Sequence, residues 1–253
     1  MLGKPVVAAG VVLSLAVTLT SCATASGSSE ARALEEALQP VREAQSYRMT
    51  GEIRSPDGTK TPFDAQVIAG GDCKGTVGGA ESLLSKGRVW TRWKDSAVDQ
   101  AVSLLNDGRA ASAGPVTPAD DVPAWEAARL LRGAYMVTEL PAETPQLEGI
   151  AAVCKTGELL AGASSSDSDV LPEPVTERQG ARLRPLTLTD GPVRIRVYVP
   201  EHGKPSARLA EYHVEGGRSF FVRFSGLGEP VTVTPPRNQQ TVSSSDVMSL
   251  LRS

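Results

Sequence analysis

Hydrophobic and polar residues alternate in two long parts of the chain, one on each side of a helical middle. A period of two is typical of strands that bury one face. The clearest case is residues 47–54, where the apolar side chains fall on one side and the charged ones on the other. A Ser-Pro-Asp-Gly turn at 55–58 leads into a second alternating run. The two runs predict an antiparallel pair of strands whose buried face carries Tyr47, Met49, Ile53, Phe63, Ala65 and Val67.

Shorter runs of the same kind, bounded by turns that contain glycine or proline, predict further strands. They are expected at 73–77, 80–85 and 88–93 and, after Pro174, at 181–189, 193–199, 207–214, 219–224 and 231–234.

Apolar residues recur with helical spacing in most of the remaining chain. An amphipathic helix is predicted for 30–44, with Leu34, Leu38 and Val41 on its buried side and Pro40 as a kink or stop. Further helices are predicted at 97–105, 124–132, 147–160 and 246–251. Because strands, helices and strands follow one another in blocks, the predicted fold class is α+β with one large antiparallel sheet.

The N-terminus has the form of a bacterial lipoprotein leader. An apolar run from Val6 to Leu19 is shorter than the roughly 20 residues of a spanning helix, and it closes on Leu-Thr-Ser-Cys, a lipobox pattern. We expect cleavage before Cys22 and attachment of acyl chains such as palmitate, which would hold the protein on the extracytoplasmic side of the cell membrane. The alternative is an ordinary secretory signal with an incidental cysteine. The predicted organisation is a signal peptide at 1–21, a flexible tether at 22–29 and a single domain at 30–253.

The amino-acid composition limits the classes of binding partner that we expect. Hydrophobic residues make up 40% and charged residues 22% of the chain, as in globular proteins, while aromatic residues reach only 4%. A formal net charge of −3 with interleaved signs gives no basic footprint for nucleic acid. We therefore expect no nucleic-acid partner, and a membrane contact made through the N-terminal lipid.

Two cysteines remain once Cys22 is acylated. Export into an oxidising compartment favours a disulfide between Cys73 and Cys154, and two buried free thiols are the alternative. Closing a loop of this length would stabilise the fold by about 4 to 5 kcal/mol from chain entropy.

The sequence holds no recognisable catalytic motif: no Gly-x-Ser-x-Gly, Ser-x-x-Lys, His-Glu-x-x-His or phosphate-binding loop. His202 and His213 have no cysteine or carboxylate at ligand spacing, so we expect surface histidines and no metal site. The prediction is a protein that is not an enzyme and needs no cofactor. Carboxylates gathered only by folding would support an enzymatic alternative.

Several segments together resemble the LolA-like lipoprotein carriers, especially the LppX/LprG type. They are the run at 46–51 after an amphipathic helix, the strands at 73–77 and 88–93, and the late pair of strands at 220–236 that ends in Pro-Pro. The resemblance implies a strongly curved antiparallel sheet, a half-barrel, with helices packed on its concave face and a cavity between them for acyl chains. It implies a protein that binds or transfers lipid.

A half-barrel has more apolar wall than its helices fill, and lipid would cover the surplus. The side chains expected to line such a cavity are Met49, Phe63, Val67, Val89, Ile195, Val197, Val222 and Phe224. Alternating apolar residues on strands are more often core than pocket. The alternative function is therefore a structural or protein-interaction module of the envelope whose interior is filled by its own side chains.

Overall fold

The computed structural model describes residues 29–113, 121–140, 149–164 and 170–252. For residues 107–113 and 121–122 it describes the backbone alone. The predicted signal peptide, the tether and Cys22 lie outside these ranges, except that the last tether residue, Ser29, begins the first helix. None of the helices in the described ranges combines the length and apolar character that a bilayer crossing requires.

Thirteen strands and five α-helices are formed by the described residues. The strands are β1 (Ser46–Arg54), β2 (Lys60–Ile68), β3 (Cys73–Val77), β4 (Ala80–Ser85), β5 (Arg88–Arg92), β6 (Tyr135–Glu139), β7 (Val170–Pro172), β8 (Thr176–Arg178), β9 (Ala181–Asp190), β10 (Val193–Pro200), β11 (Leu209–Val214), β12 (Ser219–Ser225) and β13 (Thr241–Ser243). The helices are α1 (Ser29–Glu43), α2 (Asp95–Ala113), α3 (Asp121–Leu131), α4 (Gly149–Gly162) and α5 (Ser244–Leu250).

The strands form one curved, unclosed sheet in the order β13-β6-β5-β4-β3-β2-β1-β12-β11-β10-β9-β7, with β8 also paired to β9. The strands before the helical middle and those after it meet where β1 pairs antiparallel with β12. The predicted α+β class and large antiparallel sheet are confirmed, with one parallel pair, β13 and β6, at an edge.

Gly51 of β1 and Gly75 of β3 let neighbouring strands approach each other unusually closely. A Cβ atom on Gly51 would lie 1.8 Å from the carbonyl oxygen of Phe221 and 3.1 Å from the ring of Phe63. A Cβ atom on Gly75 would lie 2.0 Å from the carbonyl oxygen of Asp64. Glycine within a strand marks such close backbone approaches, so neither position tolerates a side chain without local rearrangement.

The predicted strand at 231–234 is wrong, because this stretch forms no ladder. Pro230, Pro235 and Pro236 surround it, and a proline has no N–H with which to extend a ladder. The prediction also missed four short strands, β6, β7, β8 and β13, and the last three of these have only three residues each, too few to show a periodic pattern. Pro40 does not stop α1, which continues to Glu43.

The main core lies on one face of the sheet, which we call the inner face. It is the face covered by α1 and α4, with Leu34 and Leu38 of α1 and Ile150 and Val153 of α4 fully or almost fully buried. Arg42 of α1 donates a hydrogen bond of 2.7 Å to the carbonyl oxygen of Ala161 near the end of α4. The two helices are thereby held together over the strands.

The disulfide between Cys73 of β3 and Cys154 of α4 is present in the structure, with a Cα–Cα distance of 6.5 Å. Both cysteines are buried in the main core. The bridge spans 81 residues and ties α4 to the inner face. A second, smaller core lies at the other end of the sheet, where Val98, Ala128 and Val247 join α2, α3 and α5.

Candidate functional site

The structure places the eight predicted cavity residues on or against the inner face. Seven of them are buried in the main core, and Val89 is half-buried and packs against it. The same core contains the apolar side chains of α1 and α4. Sequence periodicity therefore identified the inward-facing positions, and their role in a ligand cavity stays a prediction.

Contact between α4 and β1 is tight where a cavity was expected. Gly157 of α4 lies so close to β1 that a Cβ atom there would be 2.8 Å from both Sδ and Cε of Met49 and 3.0 Å from the Tyr47 hydroxyl. The helix can sit this low only because residue 157 has no side chain. The protein's own helix thus fills the inner face at Met49.

The environment of Tyr47 shows that water is largely excluded from this region. Burial, together with a smaller effect of the nearby charge of Glu158, raises the pKa of Tyr47 to about 12. The ring of Tyr47 also makes an edge-on contact with Phe224, with centroids 5.7 Å apart. A phenol in this setting stays neutral at any physiological pH.

Open space is found at one end of the sheet, in a groove we call the rim groove. It has a volume of about 780 Å³ and lies where the C-terminal half of α1 meets the ends of β9 to β12. The backbone N–H of Ala207 donates to the carbonyl oxygen of Ala37 at 3.0 Å and so fixes one wall to α1. Its apolar lining is formed by Ala37, Pro40, Val41, Leu183, Tyr198, Ala207, Leu209, Phe224 and Leu227.

Four arginines also line the rim groove. Arg178 donates to the Tyr198 hydroxyl and to Glu211, and Arg182 pairs with Glu201. The guanidinium groups of Arg208 and Arg223 have no hydrogen bond or salt bridge within the described ranges, and both residues are exposed. The rim groove therefore combines an apolar wall with cationic groups, an arrangement that suits an amphiphile with a negatively charged end.

A polar network lies beside the rim groove on the face opposite α1 and α4, which we call the outer face. Arg196 donates to Glu173 and to Glu211, both at 2.8 Å, and Tyr198 donates to Glu211 at 2.8 Å. Thr187 donates to Glu173 at 2.6 Å. These two carboxylates are thus held by one guanidinium, which leaves neither of them an unpaired acid for catalysis.

Electrostatics within this network favour the charged forms. Burial opposes ionisation of Glu173, but hydrogen bonds from Thr187 and Arg196 and the charges of Arg196 and Arg194 outweigh it and lower the pKa of this carboxyl. Burial likewise opposes the charged form of Arg196, but its hydrogen bonds to Glu173, Tyr198 and Glu211 raise its pKa.

The histidines lie at separate places on the surface side of the fold. His202 is almost fully exposed in the turn after β10, with Nε2 3.8 Å from Glu201. His213 on β11 shares a 2.7 Å hydrogen bond between Nδ1 and the Ser219 hydroxyl. Among the described residues, no three His, Cys, Asp or Glu side chains come close enough together to hold a metal ion.

Of the residues that line the rim groove, only Phe224 was among the predicted cavity residues, although the sequence pattern carried a signal for others. Leu183, Tyr198, Leu209 and Phe221 are apolar residues at positions where the alternation calls for polar ones. The structure brings these four together in a separate cluster on the outer face. Apolar residues that break the phase of a strand were the available clue.

Comparisons with known proteins give structural similarity. No family model matches the chain, and no curated protein sequence matches it. The solved structure of lipoprotein LppX from Mycobacterium tuberculosis is 13% identical, with a TM-score of 0.43 over 81% of this chain and 98% of LppX. LprF from Mycobacterium bovis is 10% identical, with a TM-score of 0.43 over 83% of this chain and 97% of LprF.

A LolA superfamily protein from Nitrosomonas europaea is also similar, with 8% identity and a TM-score of 0.28 over 83% of this chain and 96% of that protein. These values give no correspondence between individual residues, so the description of the rim groove stands on this chain's own geometry. The solved structures to which the chain is similar thus include a lipoprotein, LprF and a LolA-superfamily protein.

Proposed function

We propose that this protein is a lipid-anchored lipoprotein of the cell envelope that binds an acyl chain with an anionic end in the rim groove. The observation that carries the proposal is an open groove of about 780 Å³ with an apolar lining and arginines beside it. Its volume lies within the roughly 300 to 1,000 Å³ of typical ligand sites. Transfer of the bound lipid to another membrane is the finer form of the same proposal.

The two halves of the groove supply different parts of the affinity. Leu183, Leu209 and Leu227 offer apolar surface, and each methylene group removed from water contributes about 0.8 kcal/mol. Arg208 and Arg223, which have no partner in the described ranges, offer charge-assisted hydrogen bonds to a carboxylate or phosphate. An amphiphile can use both at once.

The anchor is part of the proposal and rests on the lipobox at 19–22. Acylation of Cys22 would keep the groove next to a bilayer, where its ligand is concentrated. Metabolic labelling with a clickable palmitate analogue tests this in cells that process lipoproteins. We expect label on the wild type and none on Cys22→Ser, which should also leave the membrane fraction; label retained on the variant would contradict the anchor.

The binding step is tested with a fluorescent fatty acid and the purified protein after delipidation. We expect saturable uptake, and Leu227→Asp should weaken it about tenfold because it puts a charge in the apolar wall. Leu171→Asp is the matched control, since Leu171 on β7 is an exposed leucine outside the groove (61% exposed, against 44% for Leu227). Uptake that both variants leave unchanged, or no uptake at all, would remove the groove from the proposal.

A second candidate function is a structural or protein-interaction module of the envelope. The filled inner face, with α4 directly on Met49, favours it. Mass spectrometry of an organic extract from the protein purified from its membrane separates the two candidates. A stoichiometric lipid supports the carrier, whereas an extract without lipid, together with no uptake of fatty acid, supports the module.

A further inference from the structure

A row of basic and hydroxyl side chains crosses the outer face at the end of the strands away from the rim groove. Strand pairing aligns Arg194 with His213, His213 with Ser219, and Ser219 with Arg54. Alternate residues of a strand point to the same face, so side chains paired in this way share one face of the sheet. Four neighbouring strands, β10, β11, β12 and β1, therefore contribute to a single line of cations and hydrogen-bonding groups.

These side chains surround a small pocket, which we call the basic pocket. It has a volume of about 270 Å³ and is lined by Arg54, Arg194, Arg196, Glu211, His213, Ser219, Phe220 and Phe221. Three of its lining residues are arginines and one is a glutamate. The pocket is concave and predominantly cationic, whereas the chain as a whole carries a formal net charge of −3.

The arginines differ in how far they are already neutralised. Arg54 forms a salt bridge with Glu52, and Arg196 lies between Glu173 and Glu211. The guanidinium of Arg194 makes no hydrogen bond or salt bridge within the described ranges, and the residue is exposed. Five guanidinium N–H donors are thus available at the mouth of the pocket.

A neutral hydrogen-bonded pair of side chains completes the lining. The hydroxyl of Ser219 and Nδ1 of His213 are 2.7 Å apart, so they hold each other in place between the arginines. When Ser219 donates this hydrogen bond, the ring proton of neutral His213 is on Nε2, which is then a free donor. A tetrahedral anion with three or four oxygen atoms can accept from donors on different strands, whereas a planar carboxylate has only two oxygens.

We propose that the basic pocket binds a phosphate monoester, with Arg194 and Arg54 as the charged ligands and the Ser219–His213 pair as the neutral ones. The phosphate group can come from a soluble phosphorylated metabolite or from a lipid whose headgroup is a phosphate monoester. Both carry the same phosphate group with a charge of about −2. The site is separate from the rim groove and does not depend on the function proposed above.

The full chain, purified in a nonionic detergent, is titrated calorimetrically with inorganic phosphate and with glycerol 3-phosphate. We expect saturable binding of glycerol 3-phosphate and none of glycerol. Arg194→Gln should weaken it about tenfold, the loss expected for one charge-assisted hydrogen bond, and Ser219→Ala about threefold to fivefold. Arg88→Gln is the matched control, because Arg88 is also an exposed strand arginine but lies on β5, outside the pocket.

Two further probes identify the source of the phosphate. Dihexanoyl phosphatidic acid and dihexanoyl phosphatidylcholine are soluble and differ in the headgroup, and only the former is a monoester. Binding of the phosphatidic acid with at least the affinity of glycerol 3-phosphate supports a lipid headgroup, and binding of glycerol 3-phosphate alone supports a soluble metabolite.

Equal binding of both lipids would place them elsewhere on the protein and would overturn the assignment. So would a titration without heat for all phosphates, or an affinity that neither Arg194→Gln nor Arg54→Gln lowers. Melting temperatures of both variants should match the wild type, because both side chains are exposed. If one variant fails to fold, the other provides the test.

Discussion

The inner face and the rim groove are both largely apolar, but among the described residues α4 packs directly on β1 at Met49, whereas the rim groove keeps about 780 Å³ of open space. On the inner face, α1 and α4 are held down by Arg42 and by the disulfide, and Gly157 allows α4 to reach the strands. At the rim groove, α1 covers only one wall, and the ends of β9 to β12 form the other. An apolar sheet face therefore becomes core or groove according to how closely the helices approach it.

The comparison implies different costs for mutation in the two regions. A side chain in the filled region contributes to the free energy of unfolding, because removing it leaves a void. Leu227 of the rim groove is exposed, so its removal should change binding more than stability.

Removing the disulfide is expected to have the largest effect. Cys73→Ser with Cys154→Ser should lower the free energy of unfolding by about 4 to 5 kcal/mol, because the bridge closes a loop of 81 residues. Urea unfolding of the oxidised wild type and the double variant measures this. A loss below about 1 kcal/mol would show that the bridge is not what holds α4 on the inner face.

Truncation of Met49 tests whether the inner face is filled. Met49→Ala should cost about 2 to 5 kcal/mol, since the residue is completely buried under Gly157. Leu227→Ala, which shortens an exposed side chain of the rim groove, should change the free energy of unfolding by less than about 0.5 kcal/mol.

Chemical denaturation of both variants at neutral pH supplies the comparison. A loss for Met49→Ala as small as that for Leu227→Ala would indicate a cavity under α4, and the inner face would then become the better candidate for lipid.

Acid should weaken the outer-face network before it affects the inner face. The pKa of Glu173 is lowered in the folded protein, so its ionised form stabilises the fold above its ordinary pKa of about 4.3, and this contribution is lost as the pH falls through the lower folded value. At pH 7, Glu173→Gln should cost about 1 kcal/mol, as expected for a partly exposed ion pair.

The cost should shrink as the pH is lowered below about 4, which urea midpoints of wild type and variant at pH 7 and pH 3 will show. A constant difference across this range would mean that the carboxylate charge contributes nothing. Thr189→Ala, on an exposed position of β9, is a control expected to have no pH-dependent effect.

Tyr47 should give the smallest effect at neutral pH. Its pKa of about 12 in the folded protein exceeds the ordinary value near 10, so the neutral phenol is favoured by folding. The contribution of the neutral phenol to the stability of the fold is present in full below about pH 10 and is lost as the pH rises toward 12. Tyr47→Phe should therefore match the wild type at pH 7 and lose less melting temperature as the pH is raised from 8 to 11.5. An equal loss of melting temperature in both proteins would place Tyr47 in contact with water.

Most of the regular fold was predictable because it depends on local patterns. The buried face of β1 follows from the alternation of Tyr47, Met49 and Ile53, and the disulfide was predicted from a pair of cysteines and the expected export. The prolines on both sides of 231–234 have no N–H with which to continue a ladder at either end of this stretch. The short strands β7 and β8 exist only through pairing with β9, a contact that the local pattern does not encode.

The sequence by itself determined which side chains face inward, where the long strands begin and that an acylated Cys22 is expected. The tertiary structure decided which inward faces are filled and which remain open. That outcome depends on the distance between helix and sheet, set by contacts such as Gly157 on Met49 and by the cross-link from Cys73 to Cys154, between residues far apart in the chain. Periodicity reports the direction of a side chain, whereas packing depends on what lies opposite it.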